Sequence, residues 1–281
     1  MSYRIGSLNI HKRIHKKSDS ERDLFSFIHD FVADERLDIL ALQECLNESE
    51  VKRIQDRALS PFQSWKGQHR RPATGREGDY GFAFLWNANR VKECSQAHTP
   101  SIFSAYKSEG LRLSRDPLYG RFAPKLSEGS ELQQEFRLIN IHLRFSDEVL
   151  PDLTKISGIT KRRKECFLVT GEIYRRINAP RDGSFKPAFT LVMGDYNLSV
   201  EECIANSGNK NVCTYQDEPT TLNSNRDGYA SSYDHFSFDE TKMASVQFIQ
   251  RLNAVEKYFG GDYEKYYQAV SDHIPIVIEI F

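Results

Sequence analysis

Six places along this chain hold side chains that chemistry would use: Asn9, Glu44, His142, Asp195 with Asn197, Asp234, and Asp272 with His273. Asn9, Glu44, Asp195, Asn197 and Asp272 are hard oxygen donors, and no thiol stands among them. Such donors select Mg²⁺ or Mn²⁺ over zinc. The two histidines and the remaining carboxylates are left for proton transfer, orientation and the binding of charge. A divalent metal, a histidine–carboxylate pair and amide donors together suit attack of water on a phosphate ester. Cations offset the charge that builds on the phosphoryl oxygens, while a carboxylate orients or deprotonates the water. Each residue alone also has an ordinary reading. Glu44 could be a solvated strand end or helix cap, Gly194-Asp195-Tyr196-Asn197 a turn, and Asp272 a cap on whatever precedes it. Their shared order and strand context are what an accidental set would lack.

The elements that must position them are apolar runs of strand length, at 5–10, 39–42, 81–86, 136–143, 189–193, 235–238 and 274–281. Ile39-Leu40-Ala41-Leu42 and Leu191-Val192-Met193 are continuously apolar, which predicts strands covered on both faces. In the last run, Ile274, Ile276, Ile278 and Ile280 alternate with other residues, a period of two that predicts one buried face. Asn9, Glu44, His142 and Asp195 lie at or just past the ends of their runs, whereas Asp234 and Asp272 precede theirs. If these last two strands run antiparallel to the other four, all six places share one edge, which a mixed sheet or sandwich provides. Helices are predicted over 18–36, with Ser18-Asp19-Ser20-Glu21 as a capping box, and over 47–59, 161–176 and 263–270. Leu24, Phe27, Ile28, Phe31 and Val32 share one face of the first. Helices alternating with buried strands predict a layered α/β fold. Residues 100–130, rich in Ser, Gly, Arg and Pro, read as loops and edge strands. No repeat or linker divides the chain, so one domain over 1–281 is expected.

Five segments resemble the endonuclease/exonuclease/phosphatase superfamily, whose fold is that of deoxyribonuclease I. They are Ser7-Leu8-Asn9-Ile10, Asp38-Ile39-Leu40-Ala41-Leu42-Gln43-Glu44, Ile139-Asn140-Ile141-His142-Leu143, Met193-Gly194-Asp195-Tyr196-Asn197 and Ser271-Asp272-His273-Ile274-Pro275. They follow the family's order and span nearly the whole chain. The resemblance implies a four-layered α/β sandwich, two face-to-face mixed β-sheets flanked by helices. It implies Glu44 as the principal Mg²⁺ ligand, with Asn9 and Asp272 beside it. Asp195 matches the water-orienting base or second-metal ligand, Asn197 the amide that contacts the scissile phosphate, and His142 and His273 the catalytic histidines. Asp234 matches the carboxylate paired with His273, and an adjacent carboxylate raises a histidine pKa.

Within the superfamily, Thr220-Thr221 followed by Ser231-Ser232-Tyr233-Asp234 resembles the threonine-then-Tyr-Asp arrangement of deoxyribonuclease I. A threonine hydroxyl there is expected to donate to the scissile phosphate. Arg115-Asp116-Pro117 resembles that family's Arg-acid-Pro segment and places Arg115 near the substrate backbone. Leu198 follows Asn197 where inositol phosphatases usually show Tyr-Arg, and Ser232-Tyr233-Asp234-His235 stands where abasic-site enzymes usually carry a Trp-Arg-x-Asp-Tyr segment. The chain departs from the family before the central strand. Gly78-Asp79-Tyr80-Gly81 replaces an aromatic-x-Glu, which leaves the carboxylate supporting His142 open, with Asp79 and Glu77 as candidates.

The 38 Lys and Arg nearly balance the 39 Asp and Glu, for a formal net charge of -1. Bulk charge therefore does not draw this chain to nucleic acid, and DNA binding needs local cations. His11-Lys12-Arg13 through Lys16-Lys17 follow Asn9 directly, so Lys12 and Arg13 are expected on substrate phosphates. Arg70-Arg71 with Arg76, and Lys161-Arg162-Arg163-Lys164, are further candidates. The second run lies near a helix start, where positive charge is unfavourable. Such contacts give a salt-dependent affinity without sequence preference. No window approaches the roughly 20 apolar residues of a membrane span, so no membrane partner is expected. Met1-Ser2-Tyr3 runs straight into a strand, with no signal-peptide pattern. Five dispersed cysteines without a C-x-x-C pair fit free thiols in the cytoplasm. The expected activity is a Mg²⁺-dependent endonuclease hydrolysing double-stranded DNA with little sequence preference. A phosphatase or phosphodiesterase of the same superfamily, acting on an inositol, lipid or nucleotide phosphate, is the alternative enzyme. A catalytically inactive nucleic-acid-binding protein is the alternative of another class, against which the complete constellation speaks.

Overall fold

The computed structural model describes residues 2–11, 18–62, 64–71, 80–94, 113–125, 135–149, 155–179 and 188–281. The first part of the chain forms β1 (Tyr3–Asn9), α1 (Ser18–Asp34), β2 (Ile39–Cys45), α2 (Glu48–Ile54), β3 (Trp65–Arg70), β4 (Gly81–Asn87) and β5 (Val91–Glu93). Then come β6 (Leu118–Pro124), β7 (Glu135–His142) and the short pair β8 (Glu148–Val149) and β9 (Lys155–Ile156). A long helical run follows, α3 (Gly158–Leu168), a π-helical turn at Val169–Ile173 and α4 (Tyr174–Asn178). The chain closes with β10 (Ala188–Asp195), α5 (Val200–Ala205), β11 (Val212–Tyr215), β12 (Asp234–Asp239), β13 (Val246–Arg251), α6 (Ala254–Phe259), α7 (Tyr263–Ala269) and β14 (Ile276–Ile280).

Among the described residues two six-stranded sheets form, in the orders β13-β14-β1-β2-β4-β3 and β11-β12-β10-β7-β6-β5. Each has one parallel pair at its centre, β1 with β2 and β7 with β10. Every other pairing within the two sheets is antiparallel. The parallel strands of each sheet therefore finish at one edge, where the antiparallel β14 and β12 begin. That is the arrangement the polar residues required.

Alternation along the strands sorts the side chains into three apolar layers. Tyr3, Ile5, Ile39, Ala41, Phe84, Leu138, Leu191, Met193, Phe236, Ile276 and Ile278 meet between the sheets. Leu8, Leu40, Leu42, Leu85 and Val277 face outward from the first sheet, against Phe27 and Phe31 of α1 and residues of α2, α6 and α7. Ile139, Ile141 and Val192 face outward from the second, against Cys166, Val169, Ile173, Tyr174 and Ile177. Helix, sheet, sheet and helix make a four-layered α/β sandwich of mixed sheets. Each fully buried large apolar side chain contributes about 1.5–3 kcal/mol. Gly6 lets α1 and the turn after it approach, because a Cβ there would fall 2.7 Å from Leu37 Cδ1 and 3.1 Å from Phe31 Cζ of α1.

The continuously apolar runs are the central strands β2 and β10, covered on both faces as their composition required. The last strand differs from a one-faced pattern. All of Ile276–Ile280 is buried, since Val277 packs under the helices and Glu279 pairs with Arg4 at 2.8 Å. The region read as loops and edge strands contains β6, an interior strand held between β7 and the edge strand β5. Gly120, Arg121 and Pro124 interrupt its apolar pattern. Gly120 is needed where Phe84 and Phe122 meet edge to face, because a Cβ would crowd both rings. Six strands escaped the reading, the two- and three-residue strands β5, β8 and β9 and the longer β3, β11 and β13. β3 and β13 are edge strands with mostly polar, half-exposed faces, and β11 has only four residues. The side chains of the capping box at 18–21 lie outside the described residues.

Candidate active site

Asn9 closes β1, His142 closes β7 and Asp195 closes β10. Glu44 lies next to the end of β2, and Asp234 opens β12 directly opposite Asp195 in the ladder. Asp272 and His273 stand just before β14. The backbone bends sharply here. The β2–β4 register shifts between Gln43 and Cys45, so Glu44 lies on a bulge with φ at 60°. A bulge re-aims a side chain away from the ladder. His11 and Asn197 also have positive φ, 44° and 51°, and non-glycine residues in this region cluster at functional sites. Gly194 has φ at 129°, and a Cβ there would fall 2.2 Å from Ile141 O, so only glycine fits before Asp195.

Both sheets converge on one oxygen. Asp195 Oδ2 accepts a hydrogen bond from Asn9 Nδ2 at 3.1 Å, with His142 Nε2 at 3.4 Å and His273 Nε2 at 3.6 Å. The other carboxylate oxygen accepts the Asn197 backbone N–H at 2.9 Å. On the far side of the first imidazole, His142 Nδ1 lies 3.7 Å from Glu44 Oε1. On the far side of the second, His273 Nδ1 donates to Asp234 Oδ2 at 2.8 Å. Burial pushes the Asp195 carboxyl up to about 7, against the pull of His273. Burial alone would also lower His273, but the carboxylates of Asp234 and Asp195 override it and hold the imidazole well above its ordinary value. A buried carboxylate that titrates near neutrality beside a charged imidazole is equipped to move protons. Burial likewise raises Asp272, yet the hydrogen bond from His11 and the charges of His273 and His11 outweigh it and hold the carboxyl well below the usual range.

A supporting shell fixes these groups. Ser271 Oγ donates to Asn9 O at 2.6 Å and accepts the His273 N–H at 3.0 Å, tying the loop before β14 to the end of β1. Tyr266 of α7 donates to His273 O at 2.6 Å. Ser271 was legible only as part of its motif, and Tyr266, one more aromatic on a helix, carried no signal. His11, read as part of a cationic run, instead pairs with Asp272 at 2.8 Å.

The structure sets several candidate residues differently from their expected use. Thr220 is fully buried, and its hydroxyl accepts the N–H groups of Tyr233 and Asp234, both at 3.0 Å. It therefore holds Asp234 from behind rather than facing a substrate. Thr221 Oγ1 donates to Ser231 O and accepts Ser231 N–H, closing the same turn. The Asn197 side chain donates to Leu143 O at 2.9 Å, so its amide is anchored beside His142. Arg115 does reach the site, with Nη1 3.4 Å from His142 O. Arg70 ends β3 at the same edge, and Arg71 donates to Leu46 O, two residues beyond Glu44. The first half of the run 161–164 turns inward. Lys161 and Arg162 are buried, Arg162 donates to Phe145 O and covers the Phe145 ring, and Arg163 pairs with Glu202. Lys12, Arg13, Lys16, Lys17, Arg76, Glu77 and Asp79 lie outside the described residues.

Glu44, Asp272 and the Asn9 amide give a donor set of oxygens only, which fits Mg²⁺ or Mn²⁺. Among the described residues no three His, Cys, Asp or Glu side chains form a metal cage. Mg²⁺ does not require one, since it is held by one or two carboxylates together with waters and substrate phosphate.

No family model matches this chain, and no curated protein is significantly similar to it in sequence. Solved structures are similar in fold. D. rerio TDP2 complexed with a single-strand DNA product has 17% identity and a TM-score of 0.58, covering 100% of this chain and 99% of that one. An endonuclease/exonuclease/phosphatase from Bacteroides vulgatus has 15% identity and a TM-score of 0.63, covering 100% and 99%. The AP endonuclease LMAP from Leishmania major has 13% identity and a TM-score of 0.58, covering 99% and 87%. The fold is thus that of the endonuclease/exonuclease/phosphatase superfamily, as the five segments implied.

Proposed function

We propose that this chain is a divalent-metal-dependent endonuclease that hydrolyses DNA phosphodiester bonds with little sequence preference, as one catalytic domain over 1–281. The observation that carries the reading is the convergence of Asn9, His142 and His273 on Asp195 Oδ2. Asp195 takes the proton of the attacking water, a role its raised pKa suits. His273, kept charged by Asp234, donates its Nε2–H to the phosphoryl group and offsets the negative charge that accumulates there. His142 flanks the opposite side of Asp195, and the Asn197 amide stands beside it. Mg²⁺ or Mn²⁺, held by Glu44 with Asn9 and Asp272, would supply Lewis-acid withdrawal of charge from a phosphoryl oxygen.

The choice of DNA rests on Arg70, Arg71 and Arg115 at the rim, and on similar folds described with a DNA product and as an AP endonuclease. Double-stranded DNA is the substrate we assign. The five cysteines are free, which supports a reducing compartment and a cytoplasmic location. Among the described residues no helix is long and apolar enough to cross a membrane.

Supercoiled plasmid with Mg²⁺ provides the test. Nicking is expected, and it should vanish with a chelator and fall by about 10²–10⁴-fold in Asp195→Ala or His273→Ala. Phosphate release from an inositol phosphate without nicking would replace the reading with a phosphatase. DNA binding without cleavage under several divalent metals would replace it with an inactive binding protein.

A further inference from the structure

Directly beneath the rim, the layer between the sheets turns polar in a core that is otherwise apolar. Ile5, Ile39, Ala41 and Leu138 pack together below it. Two residues further along β1 and β7, and at the next inward position of β2, stand Ser7, Asn140 and Gln43, each 1% exposed or less. Gln43 Nε2 donates to Ser7 Oγ at 3.1 Å and to Asn140 Oδ1 at 2.7 Å. Asn140 Nδ2 crosses back to the first sheet and donates to Leu42 O at 3.0 Å and Ala83 O at 3.2 Å. The fourth central strand also closes on this amide, since a Cβ at Gly194 would lie 3.2 Å from Gln43 Nε2. Every member is followed within two residues by a rim residue on its own strand: Ser7 by Asn9, Gln43 by Glu44, Asn140 by His142, Gly194 by Asp195.

One acceptor of this layer works against stability. Gln43 Oε1 is buried with no hydrogen-bond partner among the described residues, and an unpaired buried acceptor is costly. Apolar side chains of similar shape would fill the space without that cost. An apolar layer, however, tolerates sliding and rotation, whereas hydrogen-bonded amides fix one register. These amides tie the two sheets side chain to side chain and side chain to backbone, contacts that resist sliding of one sheet past the other.

We propose that Ser7, Gln43 and Asn140 are positioning residues, a buried amide lock that aligns Asn9 and Glu44 of one sheet with His142 and Asp195 of the other. The inference rests on the catalytic reading above and deepens it. The triple variant Ser7→Ala/Gln43→Met/Asn140→Leu removes the three polar side chains together, and of their partners only the Leu42 and Ala83 carbonyls lose a donor. Its thermal midpoint should stay close to that of the wild type, with KM for DNA little changed and kcat reduced on the order of 100-fold, the cost of a displacement of about 1 Å. An unchanged kcat overturns the lock. Gln43→Met alone, a milder change, gives the same reading where the triple variant does not fold. Histidine side-chain NMR of these variants is independent of turnover. The His142 imidazole resonances should move while those of His29, half-buried on α1, stay, and unmoved His142 signals overturn the lock at any rate. A wild type inert on every phosphate ester would instead sink the catalytic reading, leaving the NMR result to decide the lock.

Discussion

His273 sits between two carboxylates, and the pair it makes with Asp234 sets its charge. A histidine held above its ordinary pKa stabilises the folded state fully below about 6.5, and that contribution is lost as the pH rises through the folded-state value. Asp234→Asn removes the charge but keeps a similar shape. It should bring the His273 imidazole back toward its ordinary value, seen by NMR titration. The wild-type advantage in thermal midpoint over this variant should be full at and below about pH 6.5 and shrink as the pH rises above it. Turnover should fall by about 10²–10⁴-fold, the usual contribution of a positioned acid or base. A His273 titration unchanged in Asp234→Asn would show that the pairing does not set its charge. Most of this cluster was legible in the sequence because each member stands at the boundary of an apolar run. The His11–Asp272 pair was not legible, because nothing in the chain order says that the loop before β14 brings Asp272 to His11.

At the level of elements, apolar patterning announced the central strands and the main helices, since burial on both faces leaves no room for polar residues. Edge strands gave little signal, because β3 and β13 expose much of their length and carry Lys, Gln and Arg there. Patterning was also silent on what Thr220 does, since a threonine near a phosphate and a threonine behind a turn look alike in sequence. In the structure its hydroxyl takes two backbone N–H groups at the start of β12. Thr220→Val keeps the shape and strands both donors in a buried place. It should cost about 1–3 kcal/mol in denaturant unfolding, lower turnover through a displaced Asp234, and leave KM for DNA nearly unchanged. Thr220→Ser should restore both. A variant of full stability with weakened DNA binding would return the hydroxyl to the substrate.

For the molecule as a whole, a formal charge of -1 gives the proposed DNA substrate no net attraction at long range. Affinity must come from cations placed at the rim where both sheets end. Arg70 and Arg71 reach that edge through the last residue of β3 and the Leu46 carbonyl, and Arg115 reaches it beside His142. The run at 161–164, the densest basic stretch of the helical layer, is mostly committed to Phe145 and Glu202 instead. Each cation on a duplex phosphate steepens the dependence of log affinity on log salt by about 0.9. Arg70→Gln/Arg71→Gln should therefore flatten that slope by about 2, raise KM most at low salt, and leave kcat at saturating DNA unchanged. Lys164→Gln, on α3 in the helical layer of the second sheet, should alter neither. Plasmid cleavage measured across a salt series separates these outcomes. An unaltered slope in the double variant would mean that DNA approaches from another side of the site, and a fall in kcat would mean that the arginines act on the reacting group itself.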